Sequence, residues 1–345
     1  MTIPPLRFQP ILHPRAWGGR RLAEWGRTLP SEGSIGESWD LADLPPSIKG
    51  GTSVVADGPL AGRTLAELRS SDAPALLGRL PVAATGGFPL LVKLLDARAD
   101  LSVQVHPDPP YAASHPGTFV KNEAWYVLEA QPGSAIYRGI HSEVTPKMFL
   151  ESLHSGRLLE CLVRIEVRPG DCIRLPSGIC HALGAGVLVA EAQTPSDTTF
   201  RVWDWDRNDP NRPLHIEQAM SCMRFGSAQD DGRPAVSRID GIPPMESEGV
   251  QIRRLCATDD FTIDLVDLQG GCHGIRSTEE PTVLLGTEGH SVVTDADGRS
   301  TRLDRGDTVL VPASCPDPEV KPGIKGSRAG FLRIDLPAVS PRTLA

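Results

Sequence analysis

Gln104 and His106 stand two residues apart in Leu-Ser-Val-Gln-Val-His-Pro-Asp, residues 101–108. Side chains of an extended strand alternate faces, so Ser102, Gln104 and His106 point one way and Leu101, Val103 and Val105 the other. The apolar face can anchor to a core, and the polar face carries nitrogen and oxygen donors. Lys121, Glu123 and Trp125 repeat this spacing, and His181 arrives after a turn. A Gln/His/Glu/His cluster suits a divalent ion, whereas a cysteine-rich set would suit a closed structural zinc site. On spacing alone, a buried hydrogen-bonding network accounts for the same residues equally well. Lys93 lies inside the apolar run Pro-Leu-Leu-Val-Lys-Leu-Leu-Asp-Ala. It either meets an anion in the interior or snorkels to water from a strand end.

Such donors need strands to aim them. Prolines and glycines punctuate short runs such as Leu-Val-Lys-Leu-Leu, Val-Leu-Val-Ala and Thr-Val-Leu-Val without pooling in one tract, the pattern of an all-β sandwich or barrel. Val187, Val189, Glu191 and Gln193 share one face of a strand, and the segment 196–206 gathers Asp197, Arg201, Asp204 and Asp206 with two tryptophans. Thr64 and Glu67 have the spacing of a capping box, and Thr145-Pro146 opens a helix. Residues 107–116 read as a proline-rich loop, and residues 13–20 as an exposed arm or turn in which Trp17 packs. His115, His141, His154, His215, His273 and His290 lack the strand-end setting of His106 and His181 and are not expected as ligands.

Gly306-Asp-Thr-Val-Leu-Val-Pro echoes Gly170-Asp-Cys-Ile-Arg-Leu-Pro, and Glu280-Pro-Thr-Val-Leu-Leu resembles Glu123-Ala-Trp-Tyr-Val-Leu, so the chain is read as two copies of one β unit. The expected division is a metal-binding unit at 1–225, a polar linker at 226–250, and a degenerate second unit at 251–345 that lacks the ligands.

At 345 residues with a net charge of −8, the chain has ample material for a core and no basic excess to suggest a nucleic-acid partner. Seven scattered cysteines without a C-x-x-C pair point to free thiols in a reducing compartment, hence the cytoplasm. No leader and no apolar run of spanning length is evident, so no membrane partner is expected; the oligomeric state stays open, a monomer included.

The ordered motifs Leu-Val-Lys93-Leu-Leu-Asp, Ser-Val-Gln104-Val-His106-Pro, Lys121-x-Glu123, Leu-Pro-Ser-Gly-x-x-His181-Ala and Ser-Asp197-Thr-Thr-x-Arg201 closely resemble the type I mannose-6-phosphate isomerases of compact bacterial form. The resemblance covers residues 10–225 well. It implies a mainly β fold of two cupin-like β-barrel (jelly-roll) domains with a few short helices, and interconversion of mannose 6-phosphate and fructose 6-phosphate. It also implies one zinc ion held by Gln104, His106, Glu123 and His181, with Arg201 and Lys121 as catalytic residues and Lys93, Asp197 and Glu191 near the substrate. A sugar phosphate is thus the expected partner. A non-catalytic sugar-binding cupin and an isomerase of another phosphorylated aldose are the alternatives. Thr194-Pro195 departs from the polar pair more usual before Ser-Asp, which bears on loop shape.

Overall fold

The computed structural model describes residues 2–229, 231–275, 279–324 and 326–337, so the end of the expected second unit, at 345, lies outside them. The fold is mainly β with a few short helices, as the sequence predicts, and its strands form three sheets. In chain order the first strands are β1 (Leu6–Arg7), β2 (Ile11–Gly19), β3 (Ile35–Leu41), β4 (Leu91–Asp96), β5 (Val103–Val105) and β6 (Glu123–Ala130). They are followed by β7 (Ala135–Ile140), β8 (Leu162–Glu166), β9 (Cys172–Leu175), β10 (His181–Leu183), β11 (Val187–Gln193), β12 (Phe200–Trp203) and β13 (Val236–Ser237).

A seven-stranded sheet runs β13-β9-β6-β11-β4-β3-β2, and a five-stranded sheet runs β12-β5-β10-β7-β8. The two face each other across a core of Leu95, Trp125, Val127, Ile173, Val187 and Val189 from one and Ile136 and Leu183 from the other. Alternation sends Val92, Leu94, Tyr126, Leu188 and Ala190 to the opposite face of the seven-stranded sheet, where they pack on Phe261, Ile263, Leu265, Val283 and Leu310 of the C-terminal part. That sheet is therefore covered on both sides. This is why its strands read as near-continuous apolar runs and why every residue of β4 is buried.

Val103 and Val105 of β5 pack outward beneath helix α1 (Pro146–His154) and helix α2 (Ile216–Cys222), beside Phe149 and Ala219. Leu101 does not join them: it precedes the strand and enters the core between the two sheets. The predicted anchor of three residues is thus an anchor of two. Both cap predictions hold, with Thr64 and Glu67 bonded reciprocally and the Thr145 side chain accepting from Met148 N. The expected loop at 107–116 contains a short helix, Pro109–Ser114, because Asp108 caps it and prolines are tolerated in a first turn whose N–H groups have no helical partner.

Residues 13–20 are not an exposed arm. Most of them lie in β2, an edge strand on β3 whose register shifts at Pro14, and an edge is where a strand accommodates proline. Trp17 is buried, as expected. A Cβ on Gly18 would stand 2.4 Å from Gly36 N, which explains the glycine beside it.

The two similar Gly-Asp segments share a local geometry: Gly170 and Gly306 both have positive φ, 92° and 88°, ahead of β9 and Thr308–Val311. These strands pair antiparallel with β6 and Thr282–Thr294, respectively. The polar segment 226–250 supplies an edge strand on each side, β13 against β9 and Met245–Ser247 against Val250–Ala257. β1 pairs with Thr308–Val311, tying the chain's beginning to the C-terminal sheet.

Arg27 joins the same parts. Its buried guanidinium lies 2.6 Å from Asp40 Oδ2 and donates to Ser38 Oγ at 2.8 Å and to Gly306 O at 2.7 Å. Removing one partner of a buried ion pair strands the other, at a cost of about 3–5 kcal/mol. Arg27→Ala is therefore expected to lower the urea midpoint by an amount corresponding to about 3–5 kcal/mol. A midpoint equal to wild type would contradict this role.

Candidate metal centre and its cavity

The site forms where the two facing sheets meet. His181 opens β10 and sits directly opposite Gln104 of β5, which in turn pairs with Arg201 of β12, so three polar side chains line one row of the five-stranded sheet. In the seven-stranded sheet Glu123 opens β6 opposite Gln193, and two residues on Trp125 pairs with Glu191, itself opposite Lys93. His106, just beyond β5, turns into the same space.

His106, Glu123 and His181 are buried, and ligand atoms from the three lie within 4.8 Å of one another, so they can hold a metal ion. His106 Nδ1 faces the Thr198 carbonyl at 3.0 Å and His181 Nδ1 faces the Ile179 carbonyl at 2.8 Å. A carbonyl only accepts, so in the neutral form of either ring the proton sits on Nδ1 and the Nε2 lone pair points inward. His181 Nε2 then lies 3.2 Å from Glu123 Oε1 and His106 Nε2 lies 3.5 Å from Glu123 Oε2, with no hydrogen-bond donor at His106 Nε2 or Glu123 Oε1. Apart from the Lys121 ammonium beside Glu123 Oε2, these buried acceptors face one another, the unfavourable half of an arrangement that a cation completes. The amide of Gln104 is at the edge of this group, its nitrogen 3.3 Å from His181 Nε2 and its oxygen 3.2 Å from Ser102 Oγ. Exchanging the two amide atoms aims oxygen at the centre and leaves the nitrogen donating to Ser102. Two imidazoles, a carboxylate and an amide oxygen fit a divalent transition ion.

The electrostatics hold the donors ready. Burial, helped by the Lys121 ammonium, pushes the His106 imidazole down to about 3, so the ring is neutral near pH 7. Burial alone would raise the Glu123 carboxyl, but Lys121, its Nζ 2.9 Å from Oε2, and His106 hold it well below the usual carboxylate range. Lys121 is itself raised, because the attraction of Glu123 and then Glu191 outweighs its own burial.

Above the donors opens a cavity of about 460 Å³ lined by Gln104, Lys121, Lys93, Glu191, Asp197 and Arg201, among others. Lys93 is buried in mid-strand, 3.3 Å from Glu191 Oε1, so it is paired in the interior and does not snorkel. Glu191 Oε2 accepts from Trp125 Nε1 at 2.8 Å, while Oε1 has no hydrogen bond. Asp197 is exposed on the cavity wall. Arg201 donates to the Pro213 carbonyl at 2.9 Å, its Nε has no partner, and among the described residues it forms no ion pair. The obvious competitor for it, Asp204, is taken by Arg207 and Arg212. Among the described residues no other group of His, Cys, Asp and Glu converges in this way, in the C-terminal repeat or elsewhere.

The cavity also has walls that sequence reasoning did not single out. Glu37 binds Arg15 through 2.8 Å and 3.1 Å bonds and accepts from Trp39 Nε1, and despite burial Lys93 and Arg15 hold its carboxyl down to about 2. Arg212 and His215 close the side near Arg201. Alternation of Glu37 and Trp39 in β3 was a usable signal for the first group; nothing local marks the second, which depends on how the chain returns after β12. The Thr194 departure is filled by a polar role, since its hydroxyl donates to Val120 O at 3.1 Å and accepts from Asn122 N at 3.0 Å.

Fold and site together define a mainly β protein with buried nitrogen and oxygen donors that can hold a metal ion beneath a polar cavity. The family described as phosphomannose isomerase type I, catalytic domain, matches residues 6–132. The mannose-6-phosphate isomerase ManA of Bacillus subtilis is 40% identical over 231 residues, 66% of this chain and 70% of that protein. The mannose-6-phosphate isomerase of Streptococcus mutans is 39% identical over 242 residues, 69% and 73% of the two chains. A crystal structure of the mannose 6-phosphate isomerase from Bacillus subtilis superposes with a TM-score of 0.82 at 30% identity, covering 97% of this chain and all of that one. The chain belongs to the type I phosphomannose isomerases.

The convergence of acceptors makes a prediction about metal content. His106→Ala and His181→Ala, purified and analysed by elemental emission spectroscopy, are expected to hold a small fraction of the ion carried by the unsubstituted chain. Full occupancy in both would show that the ion, if any, lies elsewhere.

Proposed function

We propose that this chain interconverts mannose 6-phosphate and fructose 6-phosphate through a cis-enediolate, with one zinc ion held by Gln104, His106, Glu123 and His181. The observation that carries this reading is the convergence of buried ligand atoms of His106, Glu123 and His181 at the floor of a cavity whose walls hold Lys93, Lys121, Glu191 and Arg201. The ion, when bound, supplies polarisation of the oxygens on C1 and C2, which acidifies the carbon-bound proton.

The chain's own groups do the rest. Glu191 is placed to move the proton between C1 and C2: Trp125 fixes one carboxylate oxygen, and the other is free of hydrogen bonds on the cavity wall. Lys93 pairs with that carboxylate from 3.3 Å and holds it in place. Lys121 holds Glu123 against the metal position and presents a permanent positive charge to developing negative charge on the substrate. Arg201, which forms no ion pair among the described residues, has a guanidinium available for an oxyanion of the substrate, the phosphate included. Asp197, exposed on the wall, is assigned to the sugar hydroxyls.

Residues 1–225 are assigned as the catalytic unit, 226–250 as its connection, and the following residues as a second unit without ligands. All seven cysteines are free, which supports a reducing, cytoplasmic setting; among the described residues no helix is long and apolar enough to cross a membrane.

Removal of metal by a chelator is expected to abolish conversion of mannose 6-phosphate, and added zinc to restore it; undiminished turnover in the metal-free protein, or sugar binding without turnover in the zinc-loaded one, would contradict the reading. Glu191→Gln is expected to keep its metal while kcat falls by about 10²–10⁴, the usual worth of a general base. A fall of less than about tenfold would remove Glu191 from that role.

A further inference from the structure

Asn122 separates Lys121 from Glu123, and every polar group it has is engaged. Its N–H donates to Thr194 Oγ1 at 3.0 Å and its carbonyl accepts from Thr194 N at 2.9 Å. Its side-chain oxygen accepts from Ser177 N at 2.9 Å. Its side-chain nitrogen donates to Asp260 Oδ2 at 2.8 Å, across to the C-terminal repeat.

Ser177 begins the turn that organises both imidazoles. Gly178 N donates to the His106 carbonyl at 3.1 Å, and the Ile179 carbonyl receives His181 Nδ1 at 2.8 Å. One asparagine side chain therefore links the start of β6, which carries Glu123, to the turn that sets His106 and His181. Asp260 is held firmly in its own turn: Thr258 Oγ1 accepts from Asp260 N at 3.1 Å and from Phe261 N at 2.9 Å. Phe261 is fully buried in the core shared with the seven-stranded sheet. Among the described residues Asp260 makes no ion pair, and its carboxylate accepts from Asn122 Nδ2. Burial raises its carboxyl above the ordinary range, as expected of a group set at this contact by the fold.

We infer that Asp260 and Asn122 are positioning residues through which the ligand-free C-terminal repeat sets the geometry of Glu123, Lys121 and the two histidines. The inference rests on the metal site proposed above. Neither residue touches the substrate cavity's reacting groups; Asp260 acts through Asn122, and Asn122 through the backbone on either side of it and through Ser177.

The test uses the full-length chain with Asp260→Ala and Asp260→Asn. Zinc affinity is measured by competition with a chromogenic chelator, the unfolding midpoint on the metal-free protein, and kcat and KM with mannose 6-phosphate. Asp260→Ala is expected to weaken zinc binding by about tenfold or more and to lower kcat with KM little changed, since outer partners of ligands are worth about 10–100-fold. Asp260→Asn retains an oxygen that can accept from Asn122 and is expected to return zinc affinity to within about threefold of wild type. Asn122→Ala, if it folds, is expected to weaken zinc binding at least as much as Asp260→Ala.

Unchanged zinc affinity in Asp260→Ala overturns the inference, as does an Asp260→Asn variant as impaired as the alanine variant. A lowered unfolding midpoint with unmoved zinc affinity shows a purely structural contact and also overturns it. Zinc affinity is read without turnover. An inactive wild-type chain that binds zinc through these residues would therefore sink the isomerase reading and leave this inference standing.

Discussion

The site depends on one electrostatic constraint: His106 Nε2, His181 Nε2 and the Glu123 carboxylate are buried with acceptors facing acceptors. Such a group is costly in a protein interior, because lone pairs that have lost water face other lone pairs. Two devices make it tolerable before any ion arrives. Backbone carbonyls at Thr198 and Ile179 fix the imidazole protons on the outer nitrogens, and Lys121 supplies the positive charge next to Glu123. The same devices select what the site accepts. With both inner nitrogens bare and the carboxylate ionised, the centre favours a cation, and the lysine leaves the neighbouring space suited to an anion.

Holding that geometry requires a sheet with no free face. The seven-stranded sheet presents Lys93, Trp125, Glu191 and Glu123 to the cavity side, and the alternate residues Val92, Leu94, Tyr126, Leu188 and Ala190 pack on the C-terminal part. Lys93 and Glu191 are directly opposite each other on adjacent strands, so a slip of one residue in either strand would send one of them into the apolar core behind. Among the described residues the C-terminal part holds no comparable donor group, and what it contributes is the second apolar surface that seals the sheet.

Much of this is legible in the residues themselves. Alternation in 101–106 separates Gln104 and His106 from Val103 and Val105, and the same rule places Glu191 and Gln193 with Val187 and Val189; both groupings are found in the structure. Periodicity reads a strand from within, and it fails at strand ends, which is why Leu101 was assigned to the wrong side and residues 13–20 to no sheet. The fate of Lys93 was undecided because burial of a strand's centre depends on what covers it from afar. Arg15, Arg212 and His215 escaped for a related reason: they reach the cavity only through the order of strands and the return of the chain after β12, and neither is written in local spacing. The hydrogen bonds of Asn122 belong to the same class, four contacts to residues up to 138 positions away.

The central claim is that four side chains from three strand ends close on one ion. Its most direct test is anomalous diffraction at the zinc absorption edge from crystals of the zinc-loaded chain. The account predicts one strong peak at about 2.0–2.2 Å from His106 Nε2, His181 Nε2, a Glu123 oxygen and the Gln104 amide oxygen. A peak bound elsewhere, or an occupied site in which the two Nε2 atoms do not contact the ion, would contradict it.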